Sequence, residues 1–326
     1  MTPYYTDDQI TLWHGDALSV LRGLPDESVN CCVTSPPYYG LRDYGEPGQY
    51  GLEPTPTAYV QTMAAVFAEV RRVLAADGTL WLNLGDTYAS KANGGASVGR
   101  TRRADRAELI PARVNTTGEA PYKSLLMLPE RVAWALIDDG WCLRNKVVWP
   151  KTNPLPESVA DRLTSSWEPI YLFTRSPRYW FDVEAVAVPA TGRSSGQTFA
   201  SRTPYATTAG AIGSGNRRWG SNASSTLEAP RESRRLTDVW PMATAGFPDA
   251  HFAVFPEELV QNCILAGCRP GGTVLDPFAG SGTTGMVALK HGRRFVGIDL
   301  SAKYLDLALR TRLAQTALVD EIGGAA

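Results

Sequence analysis

"TVLDPFAGSGTTG", residues 273–285, decides the fold. A short apolar run from Thr273 to Leu275 ends on a carboxylate, Asp276. Glycines follow at 280, 282 and 285 in the spacing G-x-G-x-x-G, and "MVALKHG" continues as a helix. A strand, a glycine loop and a helix in that order form a unit in which glycine lets the backbone approach a ligand, and the helix start offers free N–H groups. The next segment, "RRFVGIDLS" (293–301), reads as a second strand that ends on Asp299. Capping a strand end is the plainer role for each acid. Yet both sit at the C-terminal ends of parallel strands, the edge where open α/β sheets bind ligands.

Working outward, the same rhythm recurs. "QITLWHGDAL" (9–18) is a strand ending in a turn at Gly15-Asp16, and "ALSVLRGLP" is a short helix stopped by Pro25. "SVNCCVTS" (28–35) is almost continuously apolar, as expected of a strand buried on both faces of a parallel sheet. Val60, Met63, Ala64, Phe67, Val70 and Leu74 fall at helical spacing, so residues 57–78 are expected to be a helix ended by Gly78. "TLWLNLGD" (79–86) follows as a strand. Further on, 129–140 and 255–272 read as helices and 141–150 and 167–176 as strands, with 176–182 folding back as a hairpin. This βαβαβ order predicts a doubly wound α/β sheet. Residues 90–121 and 190–235 break it. Both are rich in Gly, Ser and Arg without a period and are expected to be loops that a partner orders. No internal repeat is visible.

The 326 residues, 44% hydrophobic, can fill one large core. No apolar run is long enough for a transmembrane helix, and the polar start "MTPYYTDDQI" is unlike a secretion signal, so a cytoplasmic protein is expected. The five cysteines lack metal-ligand spacing and read as reduced thiols; no metal is expected. A net charge of −1 argues against a general polycation but allows local basic surfaces. The glycine loop alone would fit a dinucleotide enzyme. Against that, no second mononucleotide-binding half follows it. Asp276 would also face a pyrophosphate, and it suits a cofactor carrying an ammonium group better.

A second short stretch, "TSPPYYG" (34–40), ends the strand 28–35. Together with "DPFAGSGTTG" it resembles the S-adenosylmethionine-dependent amino DNA methyltransferases. The tetrapeptide comes early and the glycine loop late, which is the circularly permuted order of that family's beta class. The likeness extends through "GDAL" (15–18), "LNLGDTY" (82–88), 128–154, "LFTRS" (172–176) and "HFAVFPEEL" (251–259). It implies a Rossmann-like class I fold with a mostly parallel twisted sheet and helices on both faces. Residues 1–185 and 251–326 would form one catalytic and cofactor-binding domain, interrupted by a DNA-recognition insert at 186–250.

The resemblance implies roles residue by residue. Ser35, Pro36, Pro37 and Tyr38 would be catalytic. Asp276, Phe278, Gly280, Ser281, Gly282 and Thr283 would surround the methionine part of S-adenosylmethionine. Asp299 would hold its ribose, and Leu300 and Ser301 would lie beside the adenine. Asp16, next to Ala17, would accept from the adenine amino group. His251 and Phe255 would approach the methionine carboxylate. The implied substrate is an exocyclic amino nitrogen of duplex DNA. In this family Ser at position 35 accompanies cytosine N4, and Asp or Asn accompanies adenine N6, so cytosine is expected and adenine is the alternative.

The chemistry explains the motif. An amino lone pair delocalised into a ring attacks a methyl group only when hydrogen-bond acceptors localise it. Ser35 and the Pro36 carbonyl are the acceptors on offer. Prolines fix the carbonyl direction and remove N–H groups that a pocket could not satisfy. A base must leave the duplex to reach such a site, and Tyr38 offers it a ring; Tyr39 reads as core. Arg100, Arg102 and Arg103 in the first irregular stretch, and Arg217, Arg218, Arg234 and Arg235 in the second, are the expected phosphate contacts. A cognate restriction enzyme is a further candidate partner. The chain is expected to be prokaryotic or phage-encoded, as a monomer or homodimer.

Overall fold

The computed structural model describes residues 1–90, 119–154, 156–190, 233–247, 250–254 and 256–313. Among these, eight strands build one sheet: β1 (Tyr5–Thr6), β2 (Ile10–His14), β3 (Val29–Thr34), β4 (Leu74–Asn83), β5 (Cys142–Pro150), β6 (Trp167–Thr174), β11 (Thr273–Asp276) and β12 (Arg294–Asp299). Two short ladders pair β7 (Val188–Pro189) with β8 (Ser233–Arg234), and β9 (Ala245–Phe247) with β10 (Ala250–Val254). The helices are α1 (Ala17–Gly23), α2 (Pro56–Val73), α3 (Leu128–Asp138), α4 (Glu257–Gly267), α5 (Thr283–Lys290) and α6 (Ala302–Ala308).

The sheet runs β1-β2-β12-β11-β3-β4-β6-β5. Its members β2, β12, β11, β3 and β4 are parallel; β6 runs against β4, and β5 against β6. From β11 the chain crosses through α5 to one side, and from β3 through α2 to the other. The strand order therefore reverses between β11 and β3, where doubly wound sheets open a ligand crevice. The glycine loop leaves β11 and the Ser-Pro-Pro-Tyr segment leaves β3, side by side at that point.

Strand alternation divides the core. Cys31 and Val33 pack with α4, α5 and the π-helical turn Leu309–Leu313, while Cys32 between them packs with α1, α2 and α3. This is the two-sided burial expected for β3. Tyr39 is buried against Tyr59 at 5.6 Å between ring centroids, a core residue as read from the sequence.

Two expectations are corrected. Helix α2 ends at Val73 rather than near Gly78, and β4 begins at Leu74. The pairing jumps from Val29↔Leu74 to Cys31↔Thr79, so residues between bulge outward. A side chain at Gly78 would put its Cβ 2.9 Å from the Asn30 carbonyl, so the glycine closes the bulge rather than ending a helix. Residues 176–182 form no hairpin. Pro177 has no N–H to give, and the backbone N–H groups of Trp180 and Asp182 bond the carbonyls of Asp77 and Ala266 instead.

Residues 238–242 are built into the sheet edge. Trp240 N donates to Val148 O at 2.9 Å, and Trp240 packs on Trp81 with centroids 6.0 Å apart. That part of the expected recognition insert therefore contributes core. Residues 191–232, including Arg217 and Arg218, and residues 91–118, including Arg100, Arg102 and Arg103, lie outside the described residues. Arg234 and Arg235 are exposed.

Candidate active site

A cleft of about 1180 Å³ opens at the switch point. Its walls include Ser35, Pro36, Pro37 and Tyr38 from the segment after β3. Asp276, Phe278, Gly280, Ser281 and Thr283 come from the segment after β11, and Asp299, Leu300 and Ser301 from the end of β12. Residues more than 240 positions apart in the chain thus line one space because β3 and β11 are neighbours.

Asp276 is buried and fully engaged. Its Oδ1 accepts from the Thr34 hydroxyl at 2.7 Å and from Phe278 N at 3.1 Å, and its Oδ2 from the Thr284 hydroxyl at 2.8 Å. Asp299 accepts from Ser301 N on one oxygen and Gly280 N on the other, each at 2.8 Å. Both acids therefore cap backbone as well as line the cleft, and each oxygen of Asp299 keeps acceptor capacity. Burial pushes both carboxyls up to about 6. The loop between them turns through glycines with left-handed backbone, φ 51° at Gly280 and 81° at Gly282. A Cβ at Gly282 would lie 2.8 Å from Ala308 Cβ. Buried carboxylates, an open glycine floor and the apolar flanks Phe278 and Leu300 fit a cationic adenosyl cofactor.

Asp16 lies between the cleft-lining Gly15 and Ala17 and is engaged at the start of α1. It caps α1: Oδ1 accepts from Ser19 N at 2.8 Å and from the Ser19 hydroxyl, while Oδ2 takes the Tyr50 hydroxyl. Against the upward pull of its burial, these bonds hold its carboxyl below the ordinary value. Gly15, Ala17 and Tyr50 line the cleft beside it, with Tyr50 edge-on to Phe278 at 5.4 Å. His251 falls on β10, and Phe255 lies outside the described residues.

Around Ser35 the structure adds residues that the sequence reading did not single out. The Tyr38 hydroxyl lies 2.9 Å from both Asn83 Oδ1 and Glu168 Oε2. Asn83 Nδ2 donates to Glu168 Oε2 at 3.2 Å and to Pro169 O at 3.0 Å, which fixes the amide with its oxygen toward Ser35. The Ser35 hydroxyl reaches Tyr38 Oη at 3.3 Å and Asn83 Oδ1 at 3.4 Å. Lys151 pairs with the other Glu168 oxygen. The Tyr38 ring lies over Gly85, where a Cβ would come within 2.3 Å of its Cε2. Burial drives the Tyr38 phenol far above its ordinary value, so it stays protonated and donates. Asn83 was the available signal: a polar amide in an apolar strand must find partners.

Residues 29–310 match the DNA methylase family of N6/N4 methyltransferases. The chain belongs to this family. This DNA methyltransferase is 42% identical over 315 residues to the Type II methyltransferase M.XycI of Xanthomonas campestris pv. cyanopsidis, a match covering 97% of this chain and 91% of that one. Among solved structures, PvuII DNA methyltransferase (cytosine-N4-specific) aligns with a TM-score of 0.61 at 20% identity over 94% of this chain and 87% of its own. TTHA0409 of Thermus thermophilus, solved with S-adenosyl-L-methionine, aligns at 0.53 and 24% identity over 94% and 95%. Both share the Rossmann-like class I fold. No helix among the described residues is long and apolar enough to cross a membrane.

Proposed function

We propose that this methyltransferase transfers a methyl group from S-adenosylmethionine to the exocyclic N4 of a cytosine flipped out of duplex DNA. One observation carries the reading. Ser35 lies in the same cleft as the Asp276–Thr283 glycine loop, and the amide oxygen of Asn83 stands where it can take the Ser35 hydroxyl hydrogen.

With its hydrogen directed at Asn83, Ser35 Oγ turns its lone pairs to the cleft and can accept one amino hydrogen of the base. The Pro36 carbonyl is the second acceptor. Two acceptors draw the nitrogen lone pair out of the ring and aim it. The bound cofactor supplies a sulfonium-activated methyl group. Asp299 serves the ribose hydroxyls, and Asp276 and Asp299 balance positive charge. Tyr38, its hydroxyl held by Glu168 and Asn83, presents its ring to the base. Arg234 and Arg235, with the arginines of 91–118 and 191–232, would contact phosphates. Residues 191–232 would carry most of the sequence readout. A serine at position 35 favours cytosine, and the cytosine-N4-specific PvuII enzyme shares the fold.

The test is direct. Duplex DNA is incubated with the protein and labelled S-adenosylmethionine, digested to nucleosides and separated. Label in N4-methylcytosine is expected. Label in N6-methyladenine would overturn the assignment of the base, and no label in DNA would overturn the activity.

A further inference from the structure

Leu163 is 92% exposed, and none of the described residues covers it. A lone exposed leucine is ordinary on a protein surface. Its setting is not ordinary. Leu163 sits in the connection between β5 and β6 and lines the cleft that holds Ser35. Because β6 runs against β4, this connection projects from the same sheet edge as the catalytic segment and the glycine loop. Leu163 thus stands at the lip through which a base must pass.

The loop is also braced in a way that holds the leucine outward. Its ends are joined by Lys151 N donating to Ser166 O at 2.8 Å. Glu157 takes an ion pair from Arg162 at 2.8 Å. Arg162 in turn donates to the Leu163 carbonyl at 3.2 Å and lays its guanidinium over the Tyr88 ring, 4.1 Å from the centroid. Backbone and neighbour are fixed on the protein side, so the side chain is left pointing at solvent.

A flipped base leaves a gap in the stack that water fills poorly, and proteins that deform duplexes commonly insert an apolar side chain there. We propose that Leu163 enters the duplex and occupies the space vacated by the target base. This rests on the base-methylation reading above. Leucine has the branched apolar end that such a gap accepts, and Arg162 and Tyr88 buttress it from behind. Leu163 is a positioning residue here: it keeps the base out of the stack and takes no part in methyl transfer.

The test uses the full chain and a target site mapped on DNA methylated by the wild type. Leu163→Ala should lose about tenfold or more in turnover on a matched duplex, because unpairing and unstacking must then be met without the wedge. Its affinity for S-adenosylmethionine should be unchanged. Placing an abasic site opposite the target removes the pairing, and there the variant should recover to within about threefold of wild type. Leu163→Met, which keeps an apolar end, should stay near wild type on both duplexes. Matched-duplex turnover of Leu163→Ala within about twofold of wild type, or the same loss on both duplexes, overturns the wedge alone. Absence of transfer by the wild type overturns the methylation reading, and the wedge with it.

Discussion

Thr34, the last residue of β3, donates its hydroxyl to the carboxylate of Asp276 at 2.7 Å, across 242 positions of chain. Both residues are buried, and the second Asp276 oxygen is held by Thr284 at the start of α5. One carboxylate therefore ties the strand that delivers Ser35 to the helix that follows the glycine loop.

Thr34→Val keeps the shape of the side chain and removes the donor. A buried bond to a charged acceptor is lost, at a cost of about 1.5–3 kcal/mol in denaturant unfolding. Turnover should fall while the secondary structure is retained. A variant as stable and as active as wild type would show that the tie does not matter.

The acids give a signed pH dependence. Asp276 and Asp299 each rise from 3.8 to about 6 through burial. A carboxyl that holds its proton more tightly when folded adds stability at low pH, and that contribution is lost as pH rises from 3.8 through about 6. The ionised acids attract a cationic cofactor, so S-adenosylmethionine affinity should rise across the same window while cofactor-free stability declines. Titration calorimetry and denaturant melts between about pH 4 and pH 7 measure both. The slopes should be shallower in Asp276→Asn, and equal slopes would count against Asp276 as the titrating group.

Gly85→Ala should displace the Tyr38 ring, since the new Cβ would meet it at 2.3 Å. Overpacking of this kind costs about 1–3 kcal/mol. Turnover should drop with cofactor affinity little changed, because Gly85 lies on the base side of the cleft. A loss in cofactor affinity equal to the loss in turnover would refute that placement.

Ser35→Ala should bind S-adenosylmethionine normally and lose about a hundredfold in turnover, the scale of one preorganised hydrogen-bonding group. Near-normal turnover would remove Ser35 from the mechanism.

Much of the site was legible from the chain because its segments are local. "TSPPYYG" and "DPFAGSGTTG" each carry their geometry in prolines and glycines, and burial on both faces of β3 follows from its nearly continuous apolar run. Glu168 and Lys151 were not legible. Glu168 lies on β6, whose register against β4 is set by tertiary pairing, and Lys151 lies just past the end of β5; nothing local distinguishes either from a solvated charge. Asp16 shows how one local pattern can carry two roles: its place in "GDAL" implies a ligand contact, and as an acid just before a helix it also satisfies the helix N-terminus. Gly78 misled, since a glycine after a long helical pattern serves equally well in a bulge.

The pairing of β3 with β11 has a consequence for biosynthesis. During synthesis β3 and β4 emerge early, but the strand that covers the other edge of β3 is made only near residue 273. Until then an apolar strand has an open side, a state prone to wrong pairing. Closing it requires a long-range contact that is slow to form. Ser35 and the glycine loop come together in the same event, so the chain gains its cleft and loses its exposed strand edge at once.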